Sequence, residues 1–118
     1  MRQSQERDAA GLTGNERSKL KLELERERAA ALGELKSAEA SARAAEAETE
    51  PMDAAEMARE QGDGAIFVAR TREHLHEVED AIAKIAEGRY GLSERSGRPI
   101  GYDRLAAVPW ARFAVDEE

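Results

Sequence analysis

The sequence predicts a mainly α-helical protein, in which a long antiparallel helical hairpin, a coiled coil, precedes a small C-terminal module. Three observations lead to this prediction. Charged residues make up 36% of the 118 residues and aromatic residues only 4%, which is typical of long solvated helices. Two stretches of about 35 residues carry apolar side chains at helical spacing, enough for arms on the order of 50 Å. Glu50 and Pro51 lie between them, and proline disfavours helical geometry in the residue before it.

The hairpin is expected over residues 15–87, after a polar lead-in at residues 1–14 that contains Gly11 and Gly14 and is expected to be frayed or partly ordered. Its first arm contains no proline from Asn15 to Thr49. Apolar positions in this arm are three, four or seven residues apart: Leu20, Leu24, Ala31, Leu35, Ala38, Ala42 and Ala45. Because this face narrows from leucine to alanine, a second helix can approach closely near the turn.

The second arm is predicted from about Met52 to Glu87. Its apolar residues fit the seam of a coiled coil: Val68, Leu75, Val78, Ile82 and Ile85. Gly62 and Gly64 fall inside this arm, and each costs about 1 kcal/mol relative to alanine in a helix interior. They indicate a possible kink or a loosened stretch.

Residues 88–118 are predicted to form the C-terminal module, since Gly88 can end the second arm. This segment contains Trp110, Phe113 and both tyrosines, which suit a miniature core. A segment of about 30 residues with neither metal nor disulfide rarely folds alone. We therefore expect the module to pack against the base of the hairpin.

Composition also excludes several functions. Cysteine is absent, and the two histidines, His74 and His76, lie two residues apart on different helix faces, so we expect no metal and no other cofactor. A net charge of −7 argues against nucleic acid as a direct partner. Apolar runs are too short for a membrane span or a signal peptide, so we expect a cytoplasmic protein without membrane contact. We expect it to act as a monomer.

The C-terminal module carries an ordered series of residues: Tyr90, Gly91, Gly97, Pro99, Ile100, Arg104, Leu105, Ala107, Pro109 and Ala111. This series resembles the zinc finger that ends proteins of the DksA/TraR family. The family pattern is roughly YG-x-C-x-x-C-G-x-P-I, then RL-x-A-x-P-x-A, then C-x-x-C. The four cysteine positions of the family fall on Ser93, Ser96, Ala114 and Glu117. None is a thiolate, so the resemblance implies a finger that has lost its zinc.

A second match lies at the predicted turn. The family's coiled-coil tip motif, approximately D-P-x-D-x-A, falls on residues 50–55 without a gap. The resemblance implies a transcription regulator that inserts this tip into the secondary channel of bacterial RNA polymerase. It makes Asp53 the key carboxylate, with Ala55 in support and Glu50 in place of another acid.

The acidic surroundings of the tip allow a plainer interpretation. Between positions 46 and 63 there are seven acids and one base, Arg59, and a charge run of this kind is commonly a solvated helix face. Paired carboxylates can also serve as general acid and base, but these flank a turn on exposed helices without a pocket, so we predict no enzymatic activity. Two alternatives stay open: a coiled-coil interaction protein with another partner, and a transcript-cleavage factor like the Gre proteins.

The resemblance also bears on the alarmone ppGpp of the stringent response. Some family members bind it against the polymerase through basic residues. Those positions fall on Glu77, Val108 and Glu118, two acids and an apolar residue. Phosphates need cationic partners. We therefore predict that ppGpp does not act through this chain's interface with the polymerase.

Overall fold

The structure is a computed structural model that describes residues 6–47 and 54–117. Side chains are described throughout these ranges except at 46, 47 and 56–61. The elements are α1 (Gly14–Ala47), α2 (Ala54–Glu87), the short α3 (Tyr102–Ala107) and a 3₁₀ turn at Val115–Glu117. The described residues contain no β-strand, only the isolated bridges Arg7–Thr13 and Leu92–Pro99.

The predicted hairpin is confirmed by the pairing of α1 with α2. The Arg28 guanidinium lies 3.2 Å from the Glu79 carboxylate, and Arg72 lies 2.7 Å from Glu39. As the residue number rises along α1, its partner's number falls along α2, so the two helices run antiparallel. The intervening residues 48–53, where the turn is predicted, lie outside the described part of the chain.

The chain divides into two compact units, Met1–Arg28 with Glu77–Glu118, and Ala29–His76. The first unit holds a core to which both arms and the C-terminal module contribute: Ala10, Leu12, Leu20, Leu24, Val78, Ala81, Tyr90, Ile100 and Leu105. Leu12, Leu24, Leu105 and Val78 are fully buried, each worth about 1.5–3 kcal/mol of apolar burial. The module therefore shares its core with one end of the hairpin, as its small size requires.

Part of the predicted N-terminal lead-in packs into the core of the first unit. Within the described residues 6–13, Ala10 and Leu12 belong to the core. The Asp8 carboxylate holds the turn by accepting hydrogen bonds from the backbone N–H groups of Ala10 and Leu12, both at 2.9 Å. Arg17 of α1 pairs with the same carboxylate at 2.9 Å. Burial of two apolar side chains explains why this short, polar-looking stretch is fixed.

Local sequence explains both described ends of the hairpin in the first unit. Thr13 and Glu16 form a capping box at the start of α1, in which each side chain accepts a hydrogen bond from the other's backbone N–H, at 3.1 and 2.9 Å. Gly88 ends α2 with a φ of 77°. The N–H groups of Gly88 and Arg89 bond back to the carbonyls of Ile85 and Lys84, which is a Schellman cap.

The second unit buries few side chains. Ala31, Thr71 and Leu75 are buried, whereas Ala42 and Ala45 are exposed, so burial declines along the alanine-rich half of α1. Ile66 and Phe67 are about half exposed. α2 continues as a helix through Gly62 and Gly64. No helix among the described residues is long and apolar enough to cross a bilayer.

Candidate functional site

The predicted tip is the first candidate site. Glu50 and Asp53 lie outside the described residues, so their geometry is left as a prediction from the sequence. Ala55 is the second residue of α2 and is exposed. The net charge of the second unit, Ala29–His76, follows from the sequence alone. Residues 29–76 contain ten acidic and five basic side chains and so carry five of the seven net negative charges.

The second candidate site comprises the four positions that the family pattern gives to cysteine. Ser93 and Ser96 stand on a tight turn, where the Ser93 N–H bonds to the Arg98 carbonyl at 2.8 Å and the Gly97 N–H to the Ser93 carbonyl at 2.9 Å. Glu117 ends the 3₁₀ turn and Ala114 directly precedes it, and a 3.0 Å hydrogen bond from the Glu117 N–H to the Ala114 carbonyl links them. Both turns lie in the first unit.

Side chains join the two turns directly. The Ser93 hydroxyl donates a short hydrogen bond to Glu117 Oε1, and the Ser96 hydroxyl donates to Glu117 Oε2 at 2.6 Å. The Glu117 side chain is only 7% exposed. These two hydrogen bonds lower the pKa of the Glu117 carboxyl, and the bond from Ser93 has the larger effect. The structure thus brings three of the four predicted positions into contact, and Ala114 is buried beside them.

None of these four side chains is a thiolate or an imidazole, the main ligands of structural zinc sites. In the part of the chain that the structure describes, no group of three or more His, Asp or Glu side chains is placed to hold a metal ion. His76 is exposed and His74 is half-buried. The cation that faces Glu117 is Arg98, whose Nη2 lies 3.4 Å from the Glu117 carboxylate and 3.1 Å from that of Asp116.

A charged cluster that sequence reasoning missed ties the module to α2. Lys84, only 8% exposed, lies 2.5 Å from the Glu94 carboxylate, and Arg112 donates two hydrogen bonds to that carboxylate at 2.8 and 3.0 Å. The hydrogen bond from Arg112, helped by Lys84 and opposed by burial, lowers the pKa of Glu94 to about 2. Lys84 follows the core residue Ala81 by three positions, and a lysine on an apolar helix face could have signalled a buried pair.

Aromatic side chains complete the module. The Tyr90 hydroxyl donates to the Pro109 carbonyl at 2.8 Å, and burial raises the pKa of Tyr90 well above its usual range. Trp110 packs against the core, as predicted. The guanidinium groups of Arg95 and Arg112 each lie 5.2 Å from the centre of the Phe113 ring, within cation–π distance.

Comparison with known proteins found similarity to bacterial factors. No family model matches the chain. It is 47% identical over 47 residues to general stress protein 16O of Bacillus subtilis, covering 40% of this chain and 29% of that protein. It is 32% identical over 69 residues to the RNA polymerase-binding transcription factor DksA of Caulobacter vibrioides, covering 56% of this chain and 49% of that protein. The matches thus span about half or less of these relatives' length.

A solved structure matches over more of the chain. The transcription factor DksA2 from Pseudomonas aeruginosa superposes with a TM-score of 0.80, covering 87% of this chain and 80% of that one. Sequence identity in this match is 21%, so it establishes the fold: a long helical hairpin followed by a small C-terminal module.

Proposed function

We propose that this chain, which belongs to the DksA/TraR family and lacks the cysteines of its finger, regulates transcription by binding RNA polymerase. The observation that carries the proposal is the combined match: the similarity to a polymerase-binding DksA and the shared hairpin-and-module fold. In this proposal it acts in the cytoplasm as a monomer, has no catalytic activity and binds neither DNA nor RNA directly.

The proposed point of action is the tip at residues 50–55. The hairpin enters the secondary channel and brings Asp53 close to the catalytic centre, with Glu50 and Ala55 beside it. The charge of the second unit supports this, because a net charge of −5 over residues 29–76 favours approach to a basic channel. Ala55 lies exposed in the first turn of α2.

The test is Asp53→Asn, which removes one charge at the tip and leaves the described core untouched. We expect loss of the effect on an rRNA-type promoter in vitro, with binding to core polymerase within about threefold of the parent. Asp63→Asn is the matched control, since Asp63 is an exposed acid ten residues further along the same arm. Binding is measured by competition with a fluorescently labelled parent chain.

The outcomes separate the competing functions. A variant that regulates as well as the parent does would refute a role for the tip. If the parent chain does not bind core polymerase at all, the alternative of a coiled-coil protein with another partner gains support. If it stimulates transcript cleavage in backtracked complexes, it acts like a cleavage factor instead.

We propose further that zinc has no part in this function. The positions that would hold it carry two hydroxyls, a methyl group and one carboxylate, and structural zinc sites take four ligands, mainly thiolate and imidazole. The chain should be equally active in the promoter assay before and after treatment with a chelator that is removed before the polymerase is added, and stoichiometric zinc in natively purified protein would contradict this.

A further inference from the structure

The Glu117 carboxylate lies at the centre of a network that joins two turns far apart in sequence. We propose that Glu117, Ser93, Ser96 and Arg98 form a closure, here called the Glu117 clamp, that holds the C-terminal module shut without a metal. The clamp fastens the 3₁₀ turn Val115–Glu117 onto the turn at 93–98. This proposal does not depend on polymerase binding.

Both carboxylate oxygens of Glu117 are occupied. Ser93 contacts Oε1 and, at 3.3 Å, Oε2, while Ser96 contacts them at 3.1 and 2.6 Å, and Arg98 reaches Oε2 at 3.4 Å. Glutamate is almost never buried unless it is paired. Buried charge is costly when its partners are missing, so the three donors together are what allow Glu117 to lie inside the module.

Each serine also organises its own turn. The Ser93 hydroxyl accepts a hydrogen bond from the Arg95 N–H at 3.1 Å, and the Ser96 hydroxyl accepts one from the Arg98 N–H at 3.2 Å. Since a hydroxyl can accept while it donates, each serine joins its local backbone to the carboxylate across more than 20 residues. The Arg95 guanidinium adds a 2.6 Å bond to the Glu117 carbonyl.

Arg98 supplies the positive charge of the clamp. It bridges the exposed Asp116 and the buried Glu117, and its pKa is raised by these two carboxylates, Asp116 first. A guanidinium stays protonated at all ordinary pH values and cannot be removed by a chelator. Neither it nor a serine hydroxyl has a thiol's redox chemistry. The clamp should therefore hold in the presence of chelators and mild oxidants alike.

The experiment compares Glu117→Ala with Asp116→Ala in the full-length chain. The probe is Trp110 fluorescence during thermal unfolding, because the single tryptophan packs in the same module. We expect Glu117→Ala to lower the Trp110 midpoint by at least about 5 °C, since it removes hydrogen bonds to a charged group. Asp116→Ala removes only an exposed ion pair, and we expect a shift below about 2 °C.

A second set of variants tests whether the two serines and Glu117 act as one unit. Ser93→Ala/Ser96→Ala should lower the midpoint about as much as Glu117→Ala does. The triple variant should fall no more than about 2 °C below either, because all three changes break the same network. Equal shifts for Glu117→Ala and Asp116→Ala, additive shifts in the triple variant, or a parent midpoint that falls when EDTA is added would each overturn the proposal.

Discussion

At the scale of single residues, Gly91 is constrained in two ways, by its backbone conformation and by its close contact with the N-terminal segment. Its φ of 90° is a conformation that favours glycine. A Cβ placed there would lie 2.8 Å from the Ala10 Cβ and 3.2 Å from Leu12 Cδ1. Neither neighbour can move without disturbing the core, because Ala10 and Leu12 are both buried.

We therefore expect Gly91→Ala to lower the free energy of unfolding by about 2–4 kcal/mol, as the sum of backbone strain and overpacking. Gly97→Ala is the matched control, since Gly97 has a φ of 77° and a Cβ added there would have no neighbour within 4 Å. It should cost only the backbone strain, about 1 kcal/mol. Urea unfolding followed by circular dichroism gives both values. Equal losses would mean that the segment containing Ala10 does not lie against Gly91.

For individual residues, the sequence predicts which positions match the family's zinc ligands but not which contacts their side chains make. The family pattern singles out Ser93, Ser96, Ala114 and Glu117, and from the sequence the two serines are only turn residues left after cysteine loss. Ser93 and Glu117 are 24 residues apart, and no helical or strand periodicity relates them. The clamp becomes evident only once the fold has brought the two turns together.

At the scale of elements, the ends of the hairpin arms follow from a few residues. The start of α1 at Gly14 lies within one residue of the predicted start of the first arm, and α2 ends at Glu87 as predicted, where Gly88 stops the helix. The other two ends adjoin residues 48–53, which lie outside the described part of the chain. The sequence does not predict that residues 6–13 contribute to the core, although Thr13 and Glu16 have the spacing of a capping box and mark the start of α1. What fixes that segment is the burial of Leu12, a contact that composition cannot reveal.

The two glycines within α2 give a prediction at this scale. Gly62 and Gly64 are exposed, helical and have nothing within 4 Å of an added Cβ. Gly62→Ala/Gly64→Ala should therefore raise stability, by up to about 1 kcal/mol for each glycine. The reverse change, Ala65→Gly in the same exposed turn, should lower it by about 1 kcal/mol and serves as the control. Thermal unfolding by circular dichroism at 222 nm measures both, and a destabilised double-alanine variant would contradict a regular helix here.

At the scale of the whole molecule, charge is distributed unevenly between the two units. Residues 29–76 carry most of the net negative charge, whereas the remaining chain has 15 acidic and 13 basic side chains. Three cations of the first unit form ion pairs with carboxylates. Lys84 and Arg112 pair with Glu94, and Arg98 pairs with Asp116 and Glu117. A polyphosphate would have to compete with these carboxylates for each of these three positive charges.

This arrangement supports the proposal that ppGpp does not act through the factor–polymerase interface. The position matching the family's lysine on the second arm is Glu77, and the position matching its finger arginine is Val108, both half-buried. Glu118, the third position, lies outside the described residues. Arg112 is close enough to Glu77 and Asp80 for both to raise its pKa, after the larger effect of Glu94. A phosphate here would meet negative charge, and each missing contact to a charged group is worth about 1.5–3 kcal/mol.

We accordingly expect ppGpp to leave the factor's effect unchanged in transcription with a polymerase whose own separate ppGpp site has been removed. The informative variant is Glu77→Lys/Val108→Arg, which restores two cations and should gain a response to ppGpp, while Glu79→Lys on the exposed part of the same helix should not. Potentiation of the parent chain by ppGpp would contradict the assignment of Glu77 and Val108. A double variant that stays unresponsive although it still regulates would show that these two positions do not decide phosphate binding, and that the alignment with the family fails in this part of the chain.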